Sequence, residues 1–113
     1  MSAYVIFNYR ITDREQIDEL SRRAAEIDRK HAARVIVGSP LRTVEGEAPS
    51  HIVIYEFATF AAAQAWYQAP EQQELALFRR AITEGWVSIV PGVDETEAVV
   101  ESGYFQCAEA AEA

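Results

Sequence analysis

His51-Ile-Val-Ile-Tyr-Glu-Phe57 and the segment after it, Ala58-Thr-Phe-Ala-Ala-Ala-Gln-Ala-Trp-Tyr-Gln-Ala-Pro-Glu71, carry the clearest structural signal in the chain. The first seven residues are rich in Ile, Val, Tyr and Phe, whose branched or flat side chains suit a pleated surface, and read as a strand. One polar residue, Glu56, interrupts it. The periodicity then changes to that of a helix, with Phe60, Ala63, Trp66 and Tyr67 on a common side over roughly 59–68. Pro70 breaks this helix and restarts another, because proline fits a first helical turn.

Toward the N-terminus, 3–10 reads as a strand. Its odd positions Val5, Phe7 and Tyr9 are apolar, and its even positions Tyr4, Ile6, Asn8 and Arg10 turn from apolar to polar. Both faces are therefore expected to be covered. Thr12-Asp-Arg-Glu15 has the form of a capping box. Ile17, Leu20, Ala24, Ile27 and His31 follow at helical spacing and predict a helix over 13–31. Arg34-Val-Ile-Val37 is a second strand, with Pro40 marking it as an edge or bulged strand. Beyond Pro70, Leu75, Phe78 and Ile82 predict a helix to about Thr83, with Gly85 as its terminator. Trp86 to Val90 is the last strand.

The order strand, helix, strand, strand, helix, strand predicts an α+β domain: a four-stranded antiparallel sheet with the helices on one face. Its other face would be bare yet partly apolar, which implies a partner; packing two such sheets about a twofold axis, a homodimer, would bury it.

Composition narrows the remaining classes. Half the residues are hydrophobic and a quarter charged, as in an ordinary globular domain. No apolar run is long enough for a membrane span, and the N-terminus lacks signal-peptide character, so a soluble cytoplasmic protein is expected. All ten Lys and Arg precede Asp94, together with twelve of the eighteen acids. No cationic stripe results, so neither nucleic acid nor membrane is an expected partner. The body over 1–93 reads as one domain. The acidic tail over 94–113 reads as partly disordered or docking on the partner subunit through Val99-Val100 and Tyr104-Phe105. A single cysteine, Cys107, excludes an intrachain disulfide and a cysteine-cluster metal site.

Ala3-Tyr-Val-Ile6, Glu45-Gly46, Ile54-Tyr-Glu-Phe57, Ala65-Trp-Tyr67 with Pro70-Glu71, and Val90-Pro-Gly-Val93 together resemble the domain of unknown function 1330 family over about 2–93. The resemblance implies the ferredoxin-like fold of the dimeric α/β-barrel proteins. That superfamily includes cofactor-free monooxygenases, small isomerases and cyclases, and haem-dependent or haem-degrading proteins. The family has no general assigned activity, so a fold and a dimer are implied rather than a reaction. One departure is visible: His31-Ala32-Ala33 stands where many members have glycines after the first helix.

Strand parity divides the side chains into two sets. With Val5, Phe7, Val53, Tyr55, Val87 and Ile89 toward the helices, the other face presents Ile6, Asn8, Arg10, Ile52, Ile54, Glu56, Trp86 and Ser88. That mixture of apolar surface and a few polar groups suits a small-molecule pocket. Glu56 is the leading catalytic candidate, since burial in an apolar strand would raise a carboxylate toward a useful base. The alternatives are a structural ion pair with Arg10 or Arg34, or exposure at a strand end. Asn8 or Arg10 would polarise a substrate oxygen. His31, on the helix stripe, would assist or else simply pack at the helix exit. Trp66, Trp86, Ser88 and Ile54 are candidate substrate contacts, although a tryptophan placed like Trp66 is more often core. Arg79-Arg80 could hold an anion or remain solvated. No phosphate loop, nucleophile elbow or dinucleotide fingerprint occurs, and no cofactor or metal is expected. Two readings remain: a cofactor-independent acid–base enzyme of isomerase, cyclase or monooxygenase type acting on an apolar or aromatic metabolite, and a non-catalytic ligand-binding or stress-related dimeric module. Haem binding ranks third.

Overall fold

The computed structural model describes residues 2–104. Four strands, β1 (Ala3–Ile11), β2 (Arg34–Pro40), β3 (His51–Phe57) and β4 (Thr83–Pro91), form one antiparallel sheet in the order β2-β3-β1-β4. Helices α1 (Ile17–His31), α2 (Phe60–Gln68) and α3 (Pro70–Ile82) connect them, and a short α4 (Thr96–Glu101) follows β4. The fold is the expected ferredoxin-like α+β arrangement. β2 is an edge strand, and its register slips between Val35 and Val37, so it is bulged as well.

Parity divides the sheet as the alternation predicts. Ala3, Val5, Phe7 and Tyr55 are buried with Phe60, Ala63 and Trp66 of α2, and Tyr9, Val53, Val87 and Ile89 pack beside them. The core is aromatic. Trp66 lies 4.6 Å from the Tyr55 ring, 5.2 Å from Phe57 and 6.3 Å from Phe7, in tilted and edge-on arrangements that suit ring quadrupoles.

Three local readings are revised. The helix cap is Asp13, whose carboxylate accepts from the Glu15 amide at 3.1 Å, and a 3-10 turn (Arg14–Gln16) precedes α1. The amides of Thr12 (2.8 Å) and Asp13 (3.3 Å) both donate to the Ile82 carbonyl, and the side-chain cap is made by Asp13 rather than Thr12. Gly85 does not end α3. That helix stops at Ile82 and passes directly into β4, where Gly85 pairs with Tyr9. A Cβ on Gly85 would fall 2.0 Å from the Asn8 carbonyl oxygen, so the glycine serves close backbone approach inside the sheet.

Beyond Val93 the chain packs on its own subunit as far as Tyr104. The Glu95 carboxylate accepts from the Phe60 amide at 2.9 Å, Val99 enters the core, and the Tyr104 ring meets Phe60 edge-on at 5.1 Å. The expected disorder of the last residues, Phe105 and Cys107 all fall outside the described residues.

The exit of α1 explains the departure from glycine. Ala32 adopts φ 52, ψ 35, a left-handed conformation. The Ala33 amide donates to Asp28 O at 2.9 Å and the Ala32 amide to Arg29 O at 3.4 Å, which is a Schellman motif. Alanine pays a Cβ clash there that glycine avoids. Ala32→Gly is expected to raise unfolding stability by about 0.5–1 kcal/mol in urea titration, and an unchanged or lower midpoint would contradict the strain.

Candidate functional site: the cavity between sheet and helices

The apolar stripe of α1 contains no fully buried residue. The reason lies beneath it. Ser21, Ala24 and Ala25 are too small to fill the space between α1, α3 and the sheet, and a cavity of about 280 Å³ remains. Ile17 and Leu20 of α1, Val53 of β3, Phe7 of β1 and Leu75 of α3 supply its apolar walls.

Its polar groups are few and placed. Asp28 projects from α1, and its carboxylate accepts a hydrogen bond from the Tyr55 hydroxyl at 2.6 Å. Burial raises the Asp28 carboxyl above its ordinary value, opposed in part by the Tyr55 bond and by His31. Burial and the neighbouring carboxylate push the Tyr55 phenol far up, so it stays a proton donor across the working range. Burial also raises Tyr9, which stacks on His51 at 5.6 Å and closes one side. Gln72, Arg79 and Thr83 complete the polar lining. A second space of about 240 Å³ adjoins the first, bounded by Tyr67, Arg80, Gly85, Trp86 and Val87; Phe7, Tyr9, Arg79 and Thr83 line both.

The residues singled out from the sequence mostly lie elsewhere. Ile6 pairs with Ile54 on one side and Ser88 on the other, Asn8 with Ile52 and Trp86, and Tyr4 with Glu56 and Val90. These rows share the sheet face away from the helices. Glu56 is 32 % exposed and pairs with Arg34 at 3.3 Å, one of the alternatives its sequence left open. Asn8 is buried and donates to the carbonyls of Pro49 (3.1 Å) and His51 (2.8 Å), which pins the loop before β3. Arg10 is exposed and bonds Glu84. Trp86 is half exposed, Trp66 sits in the aromatic core, and His31 lies 3.6 Å from Glu71 at the junction of α1 and α3. Among the described residues no group of His, Cys, Asp and Glu converges as metal ligands, and no helix is long and apolar enough to cross a membrane.

No motif in the sequence marks Asp28 and Tyr55 as a pair. The signal lies in periodicity: Ile17, Ser21, Ala24 and Asp28 recur at helical spacing, so Asp28 belongs to the inward stripe. Tyr55 has the parity of Val53, and an inward hydroxyl needs a partner.

No curated protein matches the chain. Solved structures do. A protein of unknown function from Rhodopseudomonas palustris superposes with a TM-score of 0.63 at 16% identity, over 81% of this chain and 82% of that one. A dimeric ferredoxin-like protein of unknown function from Thermobifida fusca gives 0.60 at 9% identity, over 81% and 92%. A cofactor-independent oxygenase from Streptomyces nogalater gives 0.57 at 14% identity, over 80% and 92%. At these identities the likeness establishes the ferredoxin-like fold alone. Residues 2–93 match the family described as Domain of unknown function (DUF1330), and the chain belongs to that family.

Proposed function

We propose that the chain is a small cofactor-independent enzyme that performs acid–base chemistry on an apolar or aromatic metabolite held between sheet and helices. One observation carries this reading: a carboxylate with its pKa raised by burial, oriented by a tyrosine hydroxyl, stands in the wall of a mainly apolar cavity. Asp28 would take a proton from an activated C–H or O–H group, leaving the electron pair on the substrate. Tyr55 would aim the carboxylate and remain protonated. Returning the proton to another atom completes an isomerisation or cyclisation. The Streptomyces nogalater protein, described as a cofactor-independent oxygenase, shares this fold, which supports a cofactor-independent reading. Turnover by the Asp28→Asn variant tests the assignment.

The same reading includes a homodimer. Ile6, Ile54, Val90 and the half-exposed Trp86 form apolar rows on a sheet face without helices, and the Thermobifida fusca relative of this fold is described as dimeric. Native mass spectrometry of gently purified protein is expected to give twice the chain mass. A monomer at micromolar concentration would remove the dimer from the proposal.

A further inference from the structure

Arg79 is 91 % withdrawn from solvent by its fractional exposure of 9 %. It stands in the wall shared by the two adjoining cavities. A buried guanidinium is retained at a cost unless an anion and hydrogen-bond acceptors compensate it. Among the described residues no carboxylate pairs with it. Its side-chain contacts are a long hydrogen bond from Nη2 to the Tyr67 hydroxyl at 3.5 Å and the Phe7 ring, 4.9 Å from Cζ. The carbonyl end of α3 tempers the charge, since Arg79 lies in its last turn. That end does not use the N–H groups. The Phe7 contact uses no N–H group and the Tyr67 bond uses one, so most of the five donors are unspent in a side chain that lines both cavities.

We infer that the cavity takes an organic anion, a small aromatic or alicyclic carboxylate, with its charged oxygens on the edge of Arg79. The apolar body of such a ligand lies along Leu20, Val53 and Leu75, and an activated C–H or O–H group away from the carboxylate is presented to Asp28. A planar carboxylate matches the guanidinium fork through two parallel hydrogen bonds. Asp28, at its own place in the wall, would repel the anion and so enforces one orientation in the cavity. The inference rests on the reading of this cavity as the active site and adds the substrate class to it.

The test compares benzoate and 2-naphthoate with the isosteric neutral amides, benzamide and 2-naphthamide, by isothermal titration calorimetry. Chemical-shift changes at Phe7 and Tyr55 locate the bound compound. The acids are expected to bind about tenfold or more tighter than their amides, as hydrogen bonds to a charged group predict. Arg79→Met should abolish the preference, and Arg79→Lys should keep part of it. Equal binding of acid and amide to the wild-type protein overturns the inference, and so does a preference that survives Arg79→Met. The wild-type comparison decides the matter even if both variants fail to fold. Amides binding in the cavity in preference to acids refutes the anion while leaving Asp28 as base. An intact acid preference with undiminished turnover in Asp28→Asn has the reverse meaning. If none of the four compounds perturbs Phe7 or Tyr55, both readings fall together.

Discussion

Asp28→Asn is expected to lower turnover of the cavity's substrate by about 10²–10⁴-fold, the usual contribution of a positioned general base. The amide oxygen can still accept the Tyr55 hydroxyl, so the fold survives and the loss is chemical. The pH dependence gives a second readout. Burial holds the Asp28 carboxyl above its ordinary value of 3.8, and a base must be ionised to act. The rate should therefore rise with pH from near 4 upward through the raised pKa. Stability should run the other way. A carboxyl whose pKa is raised by folding favours the native state most when protonated, below its unfolded value, and that advantage is lost as pH rises through the folded value. Urea midpoints of the wild-type protein should thus fall relative to Asp28→Asn over the same window, since asparagine never ionises. A rate that is flat across this window, or wild-type turnover in the variant, would sink the role of Asp28. Opposite slopes in rate and stability would mark a site that trades one for the other.

Trp66→Ala is expected to remove about 3–5 kcal/mol of unfolding free energy, the range for deleting a buried aromatic ring. Trp66 is the hub of the core, packed against Tyr55, Phe57 and Phe7. Against a typical total stability of about 5–15 kcal/mol, the variant would be marginally folded at best, with a drop in Tm of more than about 10 °C. Its indole nitrogen supplies a control. Among the described residues Nε1 is buried without a hydrogen-bond partner, a penalty of about 1–3 kcal/mol in the native state. Trp66→Phe removes that orphan donor while keeping most of the apolar area, so it should cost less than about 1.5 kcal/mol. Equal losses in the two variants would mean that the indole nitrogen has an uncounted partner. A negligible loss in Trp66→Ala would mean that the aromatic cluster does not carry the core.

The elements themselves were legible in the chain because strand and helix patterns are local. Val5, Phe7, Val53 and Tyr55 share one parity, and that set lies on the helix side. Pro40 signalled an edge strand because it lacks a ladder donor, and β2 is one. Failures at this level came between neighbouring residues of similar capping chemistry. Thr12 has the spacing of a cap, yet the adjacent Asp13 carboxylate takes the Glu15 amide.

The candidate site was far less legible. Glu56 drew attention as a lone acid in an apolar strand, but periodicity cannot say that Arg34 on the next strand lies 3.3 Å away. Nor can it say that Ser21, Ala24 and Ala25 leave a space unfilled, since a small residue in a helix stripe can equally mark close packing. The Asp28–Tyr55 bond joins residues 27 positions apart, and the raised carboxyl follows from that burial rather than from any motif. Hydrophobic alternation acts through neighbours along the chain, and so the strands, the helices and the division of side chains between two sheet faces could be read from residue order. Cavities, orphaned charges and shifted pKa values depend on which atoms long-range packing brings together and which it keeps from water, and these arise with the tertiary structure.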